Sequence, residues 1–265
     1  SEICKVKTVQ VCSIDSTNME PSRWLEMVNV IEETYEDYDG FVISHGTDTL
    51  AYTAAALSYL IQNSAKPIVL TGSQKSIDVE NTDGKSNLFD AFLYASSEKS
   101  QGVTIVFDGK VIAGTRAKKV RSKSFNAFDS IDFPFLAMIQ GKQVLRYIPM
   151  IPYQEPVKFY HQMNGNILLL KLIPGIQPFG LEAAFQHYDT IIVESFGVGG
   201  IPATISSEFY LLHQKYPKTL IVMATQVSHE GSDMTVYEVG QKIKSDCDFL
   251  ESYDMTLEAV IAKLM

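Results

Sequence analysis

Gly40-Phe41-Val42-Ile43-Ser44-His45-Gly46-Thr47-Asp48-Thr49-Leu50 runs from an apolar triplet through a small polar loop into a helical pattern. Phe41-Val42-Ile43 has the length of a buried strand, and Leu50, Ala54, Leu57 and Ile61 recur at the spacing of one helix face. The unit therefore reads as strand, loop, helix. In open α/β sheets, ligands sit at the carboxyl ends of parallel strands, where the N-terminus of the next helix offers unpaired N–H groups to an anion or a developing oxyanion. Within this loop Gly46 admits close backbone approach, Thr47 offers a hydroxyl and Asp48 a carboxylate, which together suit a nucleophile or water activator beside its orienting acid. Taken alone, the loop has a plainer reading, because Asp and Thr are among the best N-caps and Asp48 or Thr49 can simply start the helix.

The alternation continues outward from this unit. Upstream, residues 6–11 read as a strand and residues 22–37 as a helix with Trp24, Met27, Val28, Ile31 and Tyr35 on one face. Downstream come a strand at 68–70, a helix around 88–95, a strand at 103–107, a hairpin strand at Val111-Ile112 and a further hairpin about Gly141-Lys142. Strands alternating with helices imply a doubly wound, mainly parallel sheet. Pro149, Pro152 and Pro156 then interrupt any helix or central strand. We therefore expect an α/β fold with a larger N-terminal domain over 1–148, a linker over 149–162 and a smaller α/β domain over 163–265. In the latter, strands are expected at 167–172, 190–193 and 220–223, helices near 181–187 and 207–215, and a last helix capped by Asp254 or Thr256.

With 265 residues, 46% of them apolar, the chain can bury a substantial core. A net charge of −9, from 22 Lys and Arg against 31 Asp and Glu, disfavours nucleic acid as a partner. No apolar run approaches the roughly 20 residues that span a bilayer, and residues 1–7 are too polar for a signal peptide, so a membrane partner is not expected either. Cys4, Cys12 and Cys247 form no CxxC pair and suggest neither a disulfide framework nor a zinc site, which fits a cytoplasmic location. The five histidines lack metal-ligand spacing, so neither metal nor organic cofactor is expected.

Three further segments could converge on the Thr47 loop. Asp15-Ser16-Thr17-Asn18-Met19 follows the first expected strand, and its hydroxyls could grip a carboxylate; an ordinary polar turn is the plainer alternative. Thr71-Gly72-Ser73 ends the next strand, where backbone groups could hold an amide or merely make a tight turn. Arg116-Ala117-Lys118-Lys119 offers a lysine that could serve as the base a threonine hydroxyl needs, although such a run more commonly marks a solvated basic face.

Taken in order, these strings resemble the bacterial-type L-asparaginase family, most nearly its cytoplasmic type I branch. The resemblance rests on residues 15–19, Asp39 to Thr49, Lys66-Pro-Ile-Val-Leu-Thr-Gly-Ser73, Asp83-Gly84 with Asn87-Leu88, and Ser195-Phe-Gly-Val-Gly199, and it spans nearly the whole chain. It implies hydrolysis of L-asparagine, and possible competition from L-glutamine, through Thr47, Asp48 and Lys119 as catalytic residues. Ser16 and Thr17 would bind the substrate's α-carboxylate, with Gly46 beside them and Ser73 contacting the scissile amide through its backbone carbonyl. It also implies a homodimer or homotetramer. Two departures stand out. Relatives open with a strand ending in a TGGT-like turn that carries a nucleophilic threonine; residues 1–265 contain no such segment, so an upstream segment in the working enzyme is expected. Gly200 stands where many relatives have Asn. A catalytically silent amino-acid-binding homologue, a glutaminase and the amidase subunit of a tRNA-dependent amidotransferase are the alternative readings.

Overall fold

A computed structural model describes residues 3–236 and 248–265. The chain divides into two units, Ser1–Met163 and Asn164–Met265. In the first, strand β1 (Phe41–Ser44) leads through the Thr47 loop into helix α2 (Leu50–Leu60), after the upstream helix α1 (Pro21–Glu33). A short strand β2 (Ile61–Gln62), strand β3 (Pro67–Thr71), helix α3 (Gly84–Ala95) and strand β4 (Gly102–Phe107) follow. Next come β5 (Lys110–Ala113), β6 (Ala117–Lys119), β7 (Phe128–Ser130), β8 (Ala137–Gln140), β9 (Gln143–Arg146) and β10 (Lys158–Phe159). The main sheet has the order β1-β3-β4-β5-β8-β9.

The expected parallel pairing holds for β1, β3 and β4, whereas β4-β5, β5-β8 and β8-β9 are antiparallel. The reason lies in the connections. Asp108 and Gly109 join β4 to β5 with φ of 50° and 71°, and a two-residue turn of that kind can only make a hairpin, since a parallel neighbour needs a long crossover. Parallel strands are instead linked by α2 and α3, which cover the sheet. Val69, Ala91, Tyr94, Val106 and Val111 form one core cluster beneath α3. On the other side, Trp24, Val28, Leu50, Ala54 and Leu57 are buried.

The expected strand at 6–11 is not formed. Residues 3–15 carry no helix or strand, and Val6 and Val9 are 55% and 59% exposed. Alternating apolar residues make a strand only where a neighbouring strand takes up their N–H and C=O groups, and among the described residues β1 has β3 on one side only. The helix expected over 22–37 ends at Glu33, and Tyr35, beyond it, reaches the core through the turn that follows. Of residues 149–162, Lys158 and Phe159 pair antiparallel with Gln62 and Ile61.

The second unit is a parallel sheet, β11 (Ile167–Lys171), β12 (Thr190–Ser195), β13 (Leu220–Thr225) and β14 (Leu250–Glu251), in that order. Helices α4 (Leu181–His187) and α5 (Ala203–Lys215) supply Phe185, Ile205 and Phe209 to a core with Ile191, Val193, Ile221 and Met223. The last helix, α6 (Leu257–Leu264), sets Val260 against Ile192 and Val222. Its cap is Thr256, whose side chain accepts from Ala259 N at 3.1 Å. Cys4 and Cys12 are free thiols, and Cys247 lies outside the described residues. No helix among the described residues is long and apolar enough to cross a membrane, and no cluster of His, Cys, Asp and Glu among them could hold a metal ion.

Candidate active site

At the carboxyl end of β1, His45 N continues the ladder by donating to Thr71 O at 2.9 Å, and the chain then turns away from the sheet. Two glycines make that turn possible. A Cβ at Gly46 would lie 2.7 Å from the Ser16 side chain, and one at Gly72 would lie 2.2 Å from His45 O, so the loops after β1 and β3 touch through their backbones while the Ser16 side chain packs directly on Gly46. Thr49 adds a further tie by donating its hydroxyl to Ser16 O at 2.8 Å. Thr49 stands at the N-cap of α2 but makes no side-chain cap hydrogen bond, and Asp48 is committed elsewhere, so capping does not account for this loop.

His45 fixes the loop from beneath. Its Nδ1 lies 2.7 Å from Gly46 O and its Nε2 2.9 Å from Thr53 Oγ1, which also accepts from Trp24 Nε1 at 2.8 Å. A carbonyl only accepts and an indole N–H only donates, so the ring carries its proton on Nδ1 and the Thr53 hydroxyl donates to Nε2. Burial pushes the His45 pKa below the ordinary histidine value, against the opposing pull of the Gly46 carbonyl, and so keeps that neutral form.

Above the loop, Lys119 Nζ donates to Thr47 Oγ1 at 2.8 Å and to Asp48 Oδ1 at 2.6 Å. Lys119 arrives from a different part of the chain, at the end of β6, where it pairs with Phe128 across the β6-β7 hairpin. Phe128 is buried and packs on Phe107 of β4 with ring centroids 4.9 Å apart, which anchors the hairpin to the sheet. The Lys119 side chain is 17% exposed and that of Asp48 60%, so the amine sits within the protein while its carboxylate partner faces the solvent opening.

The loop after β3 is braced by α3. Asp83 is buried, and its carboxylate accepts from Gln74 N at 2.9 Å and Lys75 N at 3.0 Å. Asn87 Nδ2 donates to Gly72 O at 2.9 Å, and its Oδ1 accepts from Asp108 N at 2.9 Å. The Asp83-Gly84 and Asn87 positions thus hold the loop that presents Ser73. Ser16 is buried beside Gly46, whereas Thr17 is exposed and its hydroxyl donates to Asp15 Oδ1 at 2.8 Å. Thr47, Asp48 and Lys119 are in direct contact; Ser16 and Gly46 abut them, and Thr17 and Ser73 stand on the neighbouring loops. Gln74 was not singled out from sequence, yet Thr47 Oγ1 donates to its Oε1 at 3.0 Å. Its position directly after Ser73 was the one available signal.

In the second unit, the segment Phe196 to Gly200 follows β12 with φ of 51°, 130° and 138° at Gly197, Gly199 and Gly200. A Cβ at Gly200 would meet nothing within 4 Å.

The sequence matches the family described as Asparaginase, N-terminal, over residues 1–150, and the Glutaminase/Asparaginase C-terminal domain over residues 166–265. An L-asparaginase of Thermococcus kodakarensis is 38% identical over 262 residues, which span 98% of this chain and 79% of that protein. L-asparaginase 1 of Escherichia coli K12 is 32% identical over 254 residues, 95% of this chain and 75% of that protein. The solved structure of the thermostable Thermococcus kodakarensis L-asparaginase superposes with a TM-score of 0.93 at 36% identity, covering 98% of this chain and 79% of that one. From family match, relatives and superposed fold alike, the chain belongs to the asparaginase family.

Proposed function

We propose that this protein is an L-asparaginase, an amidohydrolase that converts L-asparagine to L-aspartate and ammonia, with L-glutamine as the competing substrate. The observation that carries the reading is the contact of one amine with both a hydroxyl and a carboxylate: Lys119 Nζ lies 2.8 Å from Thr47 Oγ1 and 2.6 Å from Asp48 Oδ1. Amide hydrolysis asks for an oxygen nucleophile freed of its proton, donors for the oxyanion of the tetrahedral intermediate, and a proton for the departing nitrogen. Thr47 supplies the hydroxyl that attacks or activates water, Lys119 relays the proton, and Asp48 holds Lys119 in register. Ser16 and Thr17 would take the substrate's α-carboxylate, Gly46 lets Ser16 approach the Thr47 loop, and the Ser73 carbonyl would receive the amide N–H. Side-chain length would be judged by the fit of this pocket, where one methylene is worth about 1 to 3 kcal/mol. We assign the working form to a homodimer or homotetramer in the cytoplasm.

An ammonia-release assay with L-asparagine and L-glutamine tests the reading. The full-length protein should release ammonia from L-asparagine, and Thr47→Ala should lower kcat/KM by about 10²- to 10⁴-fold, the usual worth of a positioned proton-transfer group. Undiminished activity in that variant would remove Thr47 from the chemistry.

A further inference from the structure

Thr47 Oγ1 has one proton and two lone pairs, so its hydrogen bonds can be apportioned. The Lys119 ammonium, paired with Asp48, has only donors and meets a lone pair of Oγ1 at 2.8 Å. The Thr47 proton is left for Gln74 Oε1, 3.0 Å away. The direction of the Gln74 amide follows from its other side. Ser124 O can only accept, so Nε2 faces it at 3.1 Å and Oε1 faces Thr47.

Ser124 lies in the 120–127 tip of the β6-β7 hairpin, whose first strand ends in Lys119. A second contact ties the same two segments, with Lys75 Nζ over the Phe125 ring at 5.4 Å from the centroid. The Gln74 backbone is meanwhile held by the Asp83 carboxylate, independently of either partner of its side chain. One side chain thus spans from the hydroxyl of the site to the loop that bears its amine, starting from a fixed base.

We infer that Gln74 is a positioning residue of this site. In the resting site its carbonyl oxygen holds the Thr47 hydroxyl against rotation until the proton passes to the deprotonated Lys119 amine in turnover, and its amide nitrogen fastens the hairpin tip, so that one residue sets both the placement of the hydroxyl and the reach of the amine. This rests on the hydrolase reading above. A shift of about 1 Å in such a pair lowers turnover by about 10²-fold without removing a substrate contact, which places the effect in kcat and not in KM.

The test uses the full-length protein, with Gln74→Met, of similar length but without polar atoms, and Gln74→Glu, which keeps an acceptor for Thr47 but loses the donor to Ser124. Gln74→Met should lower kcat for L-asparagine by about 10- to 100-fold with KM held within about threefold. Gln74→Glu should recover part of that loss, and both should keep the thermal midpoint of the parent. Parental kcat in Gln74→Met would overturn the inference. So would equal losses in the two variants, or losses of kcat that track losses of thermal stability, because these would make Gln74 a structural residue only. Absence of ammonia release by the unsubstituted protein would remove the hydrolase reading and this one with it, and is thereby distinct from failure of the Gln74 role alone.

Discussion

The loop after β1 and the loop after β12 occupy equivalent places in their own sheets, at the carboxyl end of a parallel strand ahead of a helix, yet they are held by opposite means. His45 to Thr49 is pinned by side chains from distant parts of the chain: Trp24 and Thr53 below, Ser16 beside it, Gln74 and Lys119 above. Phe196 to Gly200 is shaped by its glycines and by bonds to its carbonyls, with Thr225 Oγ1 donating to Gly197 O at 2.6 Å and Asp233 N to Val198 O at 2.8 Å. The first arrangement fixes where side-chain atoms stand, as proton transfer requires. The second presents backbone groups, at little cost in side-chain order.

The contrast can be broken at each loop. The largest effect is expected at Gly72→Ala, where the new Cβ meets His45 O at 2.2 Å, a backbone atom that cannot swing aside. Urea unfolding should show a loss of about 3 kcal/mol, with activity falling as the Thr47 loop is displaced. Thr53→Val should come next. The substitution keeps the shape but strands the buried Trp24 indole and His45 Nε2, at about 2 kcal/mol of stability and with reduced turnover. In the second unit, Gly200→Ala has open space around it and only the φ of 138° against it, so a loss of about 1 kcal/mol is expected. If Gly72→Ala and Gly200→Ala cost the same, the contrast between the two loops fails.

The smallest effect sharpens the comparison outside both loops. Burial, with the nearby Asp108 carboxylate adding to it, pushes the Asp90 pKa up from 3.8 to about 6. A carboxyl whose folded pKa is raised is neutral with stability unaffected below the unfolded value, and it costs stability progressively as pH rises from about 4 to about 6, remaining costly above. Asp90 is only half-buried, so solvent screening reduces the cost to about 1 kcal/mol or less. Asp90→Asn should therefore raise the thermal midpoint at pH 7 and leave it unchanged at pH 3.5, with no effect on turnover.

The β1-loop-α2 unit was legible in the sequence because its information is local: an apolar triplet, a polar loop and a helical stripe lie within one stretch of chain. The same holds for β12 and β13, whose continuous apolar runs suit strands buried on both faces, and for β11, whose apolar run is as continuous although it lies partly exposed at the sheet edge. Lys119 was legible only through family resemblance, because its basic neighbourhood reads as a solvated face until the β6-β7 pairing and Phe128 bring it inward. Gln74 carries no sequence signal of its own, because Thr71-Gly72-Ser73 before it suggests backbone contacts alone and nothing in the sequence states that Ser124 lies across from it. The segment 6–11 shows the reverse limit: apolar alternation marks residues able to pair, while pairing itself depends on a neighbour elsewhere in the chain. The antiparallel half of the first sheet was partly legible from Gly109 and Gly141, whose positive φ values permit tight hairpins.

The central claim is that Thr47 and Lys119 act as one unit, and a double-mutant cycle on kcat/KM for L-asparagine tests it most directly. Lys119→Met and Thr47→Ala should each cost about 10²- to 10⁴-fold, and the double variant should lose no more than about threefold beyond the worse of the two. Losses that multiply, so that each substitution costs as much in the presence of the other as alone, would show two residues acting independently and would contradict the account.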